Sequence, residues 1–187
     1  MPASRKRHER VREKLLEGAS RLFNRHGFNA VSIDDVMAEA GLTRGSFYSY
    51  FSSKTDLYAE AVARSVDNKR SNGHARKFSP DQIIRAYLSV QHVEDTESGC
   101  PMVALPSDIS HTSRSVRQAF ESVLRLMIDT FERTLPRHSR PTRDSAIAIA
   151  SMCVGGMILA RSIDDRTLSD EIREATMNVA LSLGEWS

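Results

Sequence analysis

Apolar residues recur along this chain at spacings of three and four, the period of an amphipathic helix. Alternating β-branched runs are few and helical periodicity dominates, so the pattern predicts an all-α fold of about nine helices. A first helix is expected over His8–His26, burying Val11, Leu15, Leu16, Ala19, Leu22 and Phe23, with Gly27 as its C-cap. A second opens on Ser32 as N-cap, carries Asp34 and Asp35 in its first turn, buries Ile33, Val36, Met37 and Ala40, and stops at Gly41. A short third helix covers Arg44–Phe51 after Thr43, with Phe47 and Phe51 turned inward. A fourth runs from Lys54 to about Lys69, and the polar stretch Ser71–Lys77 reads as a linker. Five more helices are expected: Pro80–Val93, Pro101–Ser110 interrupted by Pro106, Ser113–Leu135, Thr142–Ile163 and Ser169–Leu183. The pattern divides the chain into a three-helix N-terminal domain over 1–54, a connecting helix over about 54–70 and a helical bundle over 71–187.

Composition narrows the function. With 187 residues, 40% hydrophobic and 27% charged, the chain is an ordinary globular protein long enough to bury a real core. Its apolar runs fall short of the ~18 residues that span a bilayer, and the basic N-terminus has no apolar stretch behind it. The expectation is a cytoplasmic protein with no membrane partner. Cys100 and Cys153 suit neither a disulfide framework nor a zinc site, and the six histidines are scattered. No metal and no cofactor is expected. The metalloprotease, hydrolase-elbow and phosphate-loop motifs do not occur, which argues against an enzyme. Charge is unevenly spread: residues 1–54 carry ten Lys/Arg against six Asp/Glu, while the remainder carries sixteen against eighteen. A basic head on a slightly acidic body suggests a polyanionic partner at the head.

The segment Ser32–Lys54 is two helices joined by a short glycine-bearing turn, the signature of a helix-turn-helix. Its second helix offers Arg44, Gly45, Ser46, Tyr48, Ser49 and Tyr50 to the outside. An arginine at the start of a recognition helix can pair bidentately with guanine O6 and N7. Gly45 lets backbone approach, Ser46 can donate to a base or phosphate, and Tyr48 and Tyr50 suit phosphate oxygens. Lys54 adds a cation at a helix N-terminus, where phosphates also meet free amides.

The run Gly41-Leu42-Thr43-Arg44-Gly45-Ser46-Phe47-Tyr48-Ser49-Tyr50-Phe51-Ser52-Ser53-Lys54, with Arg21-Leu22-Phe23 and Gly27-Phe28 before it, resembles the tetracycline-repressor (TetR) family over residues 9–66. The resemblance implies a ligand-responsive transcription regulator, most simply a repressor released from palindromic operator DNA by a small molecule. It implies base approach by Arg44, Gly45 and Ser46, and phosphate contact by Ser32, Thr43, Tyr48, Tyr50 and Lys54. Ser49 stands where some members carry an aromatic residue, which weakens an apolar contact to a thymine methyl. Two readings stay open beside it: an activator, and a helical DNA-binding or interaction protein without ligand control.

In the body, the resemblance implies an effector cavity and a homodimer interface built by the last two helices. The expected interface residues are Ala146, Ile149, Ala150, Cys153, Val154 and Met157 on one helix, and Ile172, Ala175, Val179 and Leu183 on the other. Gly155-Gly156 suggests a close helix crossing. Large apolar residues, Tyr87, Met102, Phe120, Met127, Phe131 and Met152, are the pocket candidates, and no charged pair among them suggests an apolar or neutral effector. Cys100 joins the list because a helix N-terminus lowers a thiol's pKa. It reads either as an electrophile or oxidant sensor or as a small apolar residue.

Overall fold

The computed structural model describes residues 2–71, 78–97, 99–104, 112–135 and 142–184. Among these, nine α-helices and one 3-10 turn form the fold: α1 (Pro2–Ala30), α2 (Ile33–Glu39), the 3-10 turn Arg44–Ser49, α3 (Lys54–Ser71), α4 (Pro80–Tyr87), α5 (Val90–Glu94), α6 (Pro101–Ala104), α7 (Arg114–Thr134), α8 (Thr142–Arg161) and α9 (Arg166–Ser182). The all-helical expectation holds. The linker expected at Ser71–Lys77 and the Pro106 interruption lie, beyond Ser71, outside the described residues.

The chain forms two compact units. One comprises Met1–Ser65 with Thr96–Glu121, the other Val66–Asp95 with Ser122–Ser187. The first unit takes in a segment that the sequence pattern assigns to the body. The reason is local: Asn24 Nδ2 donates to the carbonyls of Glu97 and Gly99, both at 3.1 Å, and Arg25 pairs with Glu97 at 2.8 Å. Helix α6 packs on α1 beside them.

The core of this unit is Leu15, Ala19, Phe23, Val36, Met37, Phe47, Leu57 and Tyr58, all essentially inaccessible. Phe23, Phe28 and Tyr58 form an aromatic cluster, with centroids 4.8 Å apart for Phe23–Tyr58 and 4.6 Å for Phe28–Tyr58. Helix α1 begins six residues earlier than periodicity predicts. An i,i+4 pair, Arg5 to Glu9 at 3.2 Å, supports that first stretch, though at this exposure it adds little. Gly27, at φ 79°, breaks the helix where a C-cap is expected.

In the second unit α8 and α9 pair closely, and α4 packs on both. The helix expected over Pro80–Val93 is two. Ser89 is the reason: its hydroxyl accepts from the His92 amide at 3.1 Å and starts α5 afresh. Two guanidinium groups hold this corner. Arg173, buried, donates to the Leu88 carbonyl at 2.7 Å, and Arg161 donates to the carbonyls of His92 and of Asp95, the latter at 2.8 Å. Helix α8 is long and apolar enough, by composition alone, to cross a membrane. One side of it is nevertheless this unit's own core: Ala146, Ile149, Ala150, Cys153 and Met157 are no more than 1% exposed.

Candidate nucleic-acid interface

The helix-turn-helix is set by its caps. Ser32 accepts from the Asp35 amide at 3.1 Å, while its own amide and hydroxyl both donate to Asp35 Oδ2 at 2.7 Å. This reciprocal cap fixes the start of α2. Those bonds hold the Asp35 carboxyl below the usual carboxylate range. They also engage Ser32, so the expected phosphate contact there requires its hydroxyl to turn. Gly41, at φ 69°, reverses the chain after α2 in a conformation that costs other residues about 1–2 kcal/mol. The Leu42 amide then donates to the Met37 carbonyl at 2.8 Å.

The expected third helix is a tighter and shorter 3-10 turn. Ser46 N–H donates to the Thr43 carbonyl at 3.1 Å, and Ser46 Oγ donates to the same oxygen at 2.8 Å. Thr43 is at the cap position, but its side chain makes no capping bond. Phe47, fully buried, anchors the turn, and Phe51 lies beneath it with ring centroids 6.0 Å apart. Opposite these anchors, Thr43, Arg44, Gly45, Tyr48 and Ser49 are exposed, Tyr48 at 64%, and Ser46, Tyr50 and Lys54 are half-buried. A Cβ placed on Gly45 would meet nothing within 4 Å. The nine expected DNA-contacting residues thus lie on one continuous motif.

Three arrangements here were not read from the sequence. Arg44 Nη1 donates to Asp34 Oδ2 at 2.5 Å. His8, on the N-terminal extension of α1, stacks on Tyr50 at 4.5 Å, and its Nε2 donates to the Ser49 carbonyl at 3.1 Å. Lys54 Nζ rests 4.3 Å from the centre of the Phe28 ring. The i,i+4 and i,i+3 rules do not reach these pairs, which are 10, 42 and 26 residues apart in sequence.

Residues 15–61 match the family profile described as bacterial regulatory proteins, tetR family. The chain carries a TetR-family DNA-binding domain. It is a DNA-binding transcriptional regulator. The chain is 28% identical to the HTH-type transcriptional regulator YxaF of Bacillus subtilis, over 83% of its length and 87% of that protein. It is 40% identical to the HTH-type transcriptional activator FasR of Mycolicibacterium smegmatis, over 59% of its own length and 46% of FasR. Its fold is that of a TetR-family regulator from Cytophaga hutchinsonii, at a TM-score of 0.77 and 16% identity, covering 97% of this chain and 98% of that one.

The body residues require correction in part. Ala146, Ile149, Ala150, Cys153 and Met157 face the unit's own core and cannot meet a partner subunit directly. Helix α8 is apolar on more than one side, and periodicity alone did not say which side faces in. Burial pushes the Cys153 thiol up to about 12. Val154 and Ile172 are half-buried, while Ala175, Val179 and Leu183 are exposed. The pocket candidates fall in both units: Cys100, Met102 and Phe120 in the first, Tyr87, Met127, Phe131 and Met152 in the second. Met102 and Phe131 are fully buried, and Cys100 is also buried. A cavity of ≈ 10 Å³ beside Phe23, Asn24, Tyr58 and Pro101 has room for about one water, far less than an effector needs.

Proposed function

We propose that this regulator is a homodimeric repressor that reads a palindromic operator with the turn Arg44–Ser49 and leaves it when a small, apolar or neutral molecule binds the body. The observation that carries the reading is the division of labour in that turn. Phe47 holds it from inside, and Arg44, Gly45 and Tyr48 are left outward with no structural task for Gly45's missing side chain. Arg44, Gly45 and Ser46 approach base edges. Ser32, Thr43, Tyr48, Tyr50 and Lys54 meet phosphates, and Ser49 flanks them.

An outward apolar stripe supports the dimer. Ile147 and Leu159 on α8, Leu168 and Val179 on α9, and Leu183 just after it are all more than a third exposed. Val154, Ile172 and Ala175 continue that stripe. Gly155 sits on it with open space where a Cβ would be, whereas a Cβ placed on Gly156 would fall 2.8 Å from the Thr176 side chain within the unit. A homodimer built on this stripe would offer one recognition turn from each copy, and paired readers of this kind bind half-sites about 34–36 Å apart, or a multiple of that. Tyr87, Met127, Phe131 and Met152 are the residues we assign to effector contact, by their size and adaptability. The body over 71–187 then senses and dimerises, the head over 1–54 reads, and α3 connects them, in the cytoplasm at the nucleoid. FasR's name gives activation as the second reading.

The test is fluorescence anisotropy over a salt series, on a duplex enriched from a random library by the wild-type protein. Arg44→Ala should cost about 1–3 kcal/mol and relax base choice, and Lys54→Ala should weaken all duplexes alike and lower the salt slope by about one unit. Neither change appearing would overturn the assignment.

A further inference from the structure

The arginine assigned to base reading is already held in the free protein. Its Nη1 donates to Asp34 across the helix-turn-helix, from the first residue of the recognition turn to the first turn of α2. Each carboxylate of α2 has a different partner: Asp35 closes the Ser32 cap, Glu39 pairs with Arg21 at 2.9 Å, and Asp34 faces Arg44. Asp34 and Arg44 are both more than half exposed, on the surface that a polyanion approaches. A bare carboxylate there repels every phosphate, so its presence at that spot weakens binding unless it does something else.

We propose that Asp34 is a positioning residue that makes Arg44 a reader of bases rather than a clamp for phosphates. A guanidinium has five N–H donors in one plane. Asp34 takes one, and the rest suffice for a bidentate pair with guanine O6 and N7. In a complex on the preferred sequence, Arg44 keeps Asp34 and reaches the base with its fork already oriented. On any other sequence the useful acceptors are phosphate oxygens, and Arg44 reaches them only by leaving Asp34 behind as an unpaired charge facing the duplex. The pair therefore favours one complex and penalises the other, which is how discrimination is built. The inference rests on the base-reading role of Arg44 given above.

The experiment compares the enriched duplex with a shuffled duplex of the same composition, for wild type, Asp34→Asn, Arg44→Ala and the double variant, with circular dichroism to verify folding. Removing the charge should raise affinity for the shuffled duplex more than for the enriched one. An exposed pair of this kind is worth up to about fivefold, so the ratio of the two affinities should fall by up to about fivefold per recognition site. In the Arg44→Ala background, Asp34→Asn should move both duplexes equally. A role confined to starting α2 would shift thermal stability and leave the ratio alone. If Asp34→Asn moves both duplexes equally with Arg44 intact, the inference is overturned and the base-reading role survives. If Arg44→Ala leaves discrimination unchanged, both fall.

Discussion

Gly41 and Gly45 stand four residues apart in one motif for opposite physical reasons, and replacing each by alanine separates folding from reading. Gly41 lies at φ 69°, so Gly41→Ala forces a side chain into the left-handed region at about 1–2 kcal/mol, though its Cβ would meet nothing within 4 Å. Gly45 has neither a positive φ nor a neighbour within 4 Å. Gly45→Ala should therefore leave the free protein as stable as before, or raise stability by about 0.4–1 kcal/mol through the unfolded chain. On DNA the order reverses. If duplex backbone or base edges close on Gly45, an added methyl intrudes on a packed contact, at about 1–3 kcal/mol per site. Thermal unfolding followed by circular dichroism should show Gly41→Ala melting earlier and Gly45→Ala unchanged or later. Anisotropy on the enriched duplex, at a temperature where both are folded, should show Gly45→Ala the weaker binder. Full-strength binding by Gly45→Ala would refute the reasoning, since the open space at this glycine would then serve no partner.

Other expectations follow from packing and protonation. Ser32→Ala removes the cap of α2 and should cost about 1 kcal/mol. Because the cap lowers the Asp35 pKa, its contribution is present above the unfolded value near 3.9 and fades as pH falls through the folded one. The gap in melting temperature between wild type and Ser32→Ala should therefore begin to narrow as pH falls below about 4, leaving the part due to the bond from the Asp35 amide to the Ser32 hydroxyl. Gly156→Ala drives a Cβ to 2.8 Å from Thr176, and the overpacking of about 1–3 kcal/mol outweighs a helix-propensity gain of about 1. The double variant Gly156→Ala/Thr176→Ala should recover stability in the same melt. Cys153, buried and with its thiol pushed up to about 12, should resist iodoacetamide at pH 8 in the folded protein and react on unfolding.

Much of the head was legible because its signals are local. Ser32 announces a cap, Gly41 a chain reversal, and the spacing of Phe47 and Phe51 an inward pair, and each is found in place. What escaped depends on residues far apart in sequence. Asp34 read as a helix-start acid and proved also to be the partner of Arg44. His8 read only as the start of the first helix and proved also to sit against Tyr50. Residues 96–104 read as body and join the head because Asn24 supplies two donors to their carbonyls. On α8, an apolar surface wider than one stripe left inside and outside undetermined, so five of the six interface residues expected there are core.

The tight winding of the recognition segment decides how its side chains are spread. At about three residues per turn, successive residues step about 120° around the axis, so the short segment spreads Arg44, Gly45 and Ser46 around its circumference. Relaxation to 3.6 residues per turn rotates each step by about 20° less, which would carry Tyr48 about 80° around the axis relative to Arg44. The exit is already shared between the two geometries: the Phe47 carbonyl accepts from Tyr50 N–H at 2.9 Å and from Phe51 N–H at 3.1 Å. Both bonds converge on Phe47, the residue that also anchors the segment from inside.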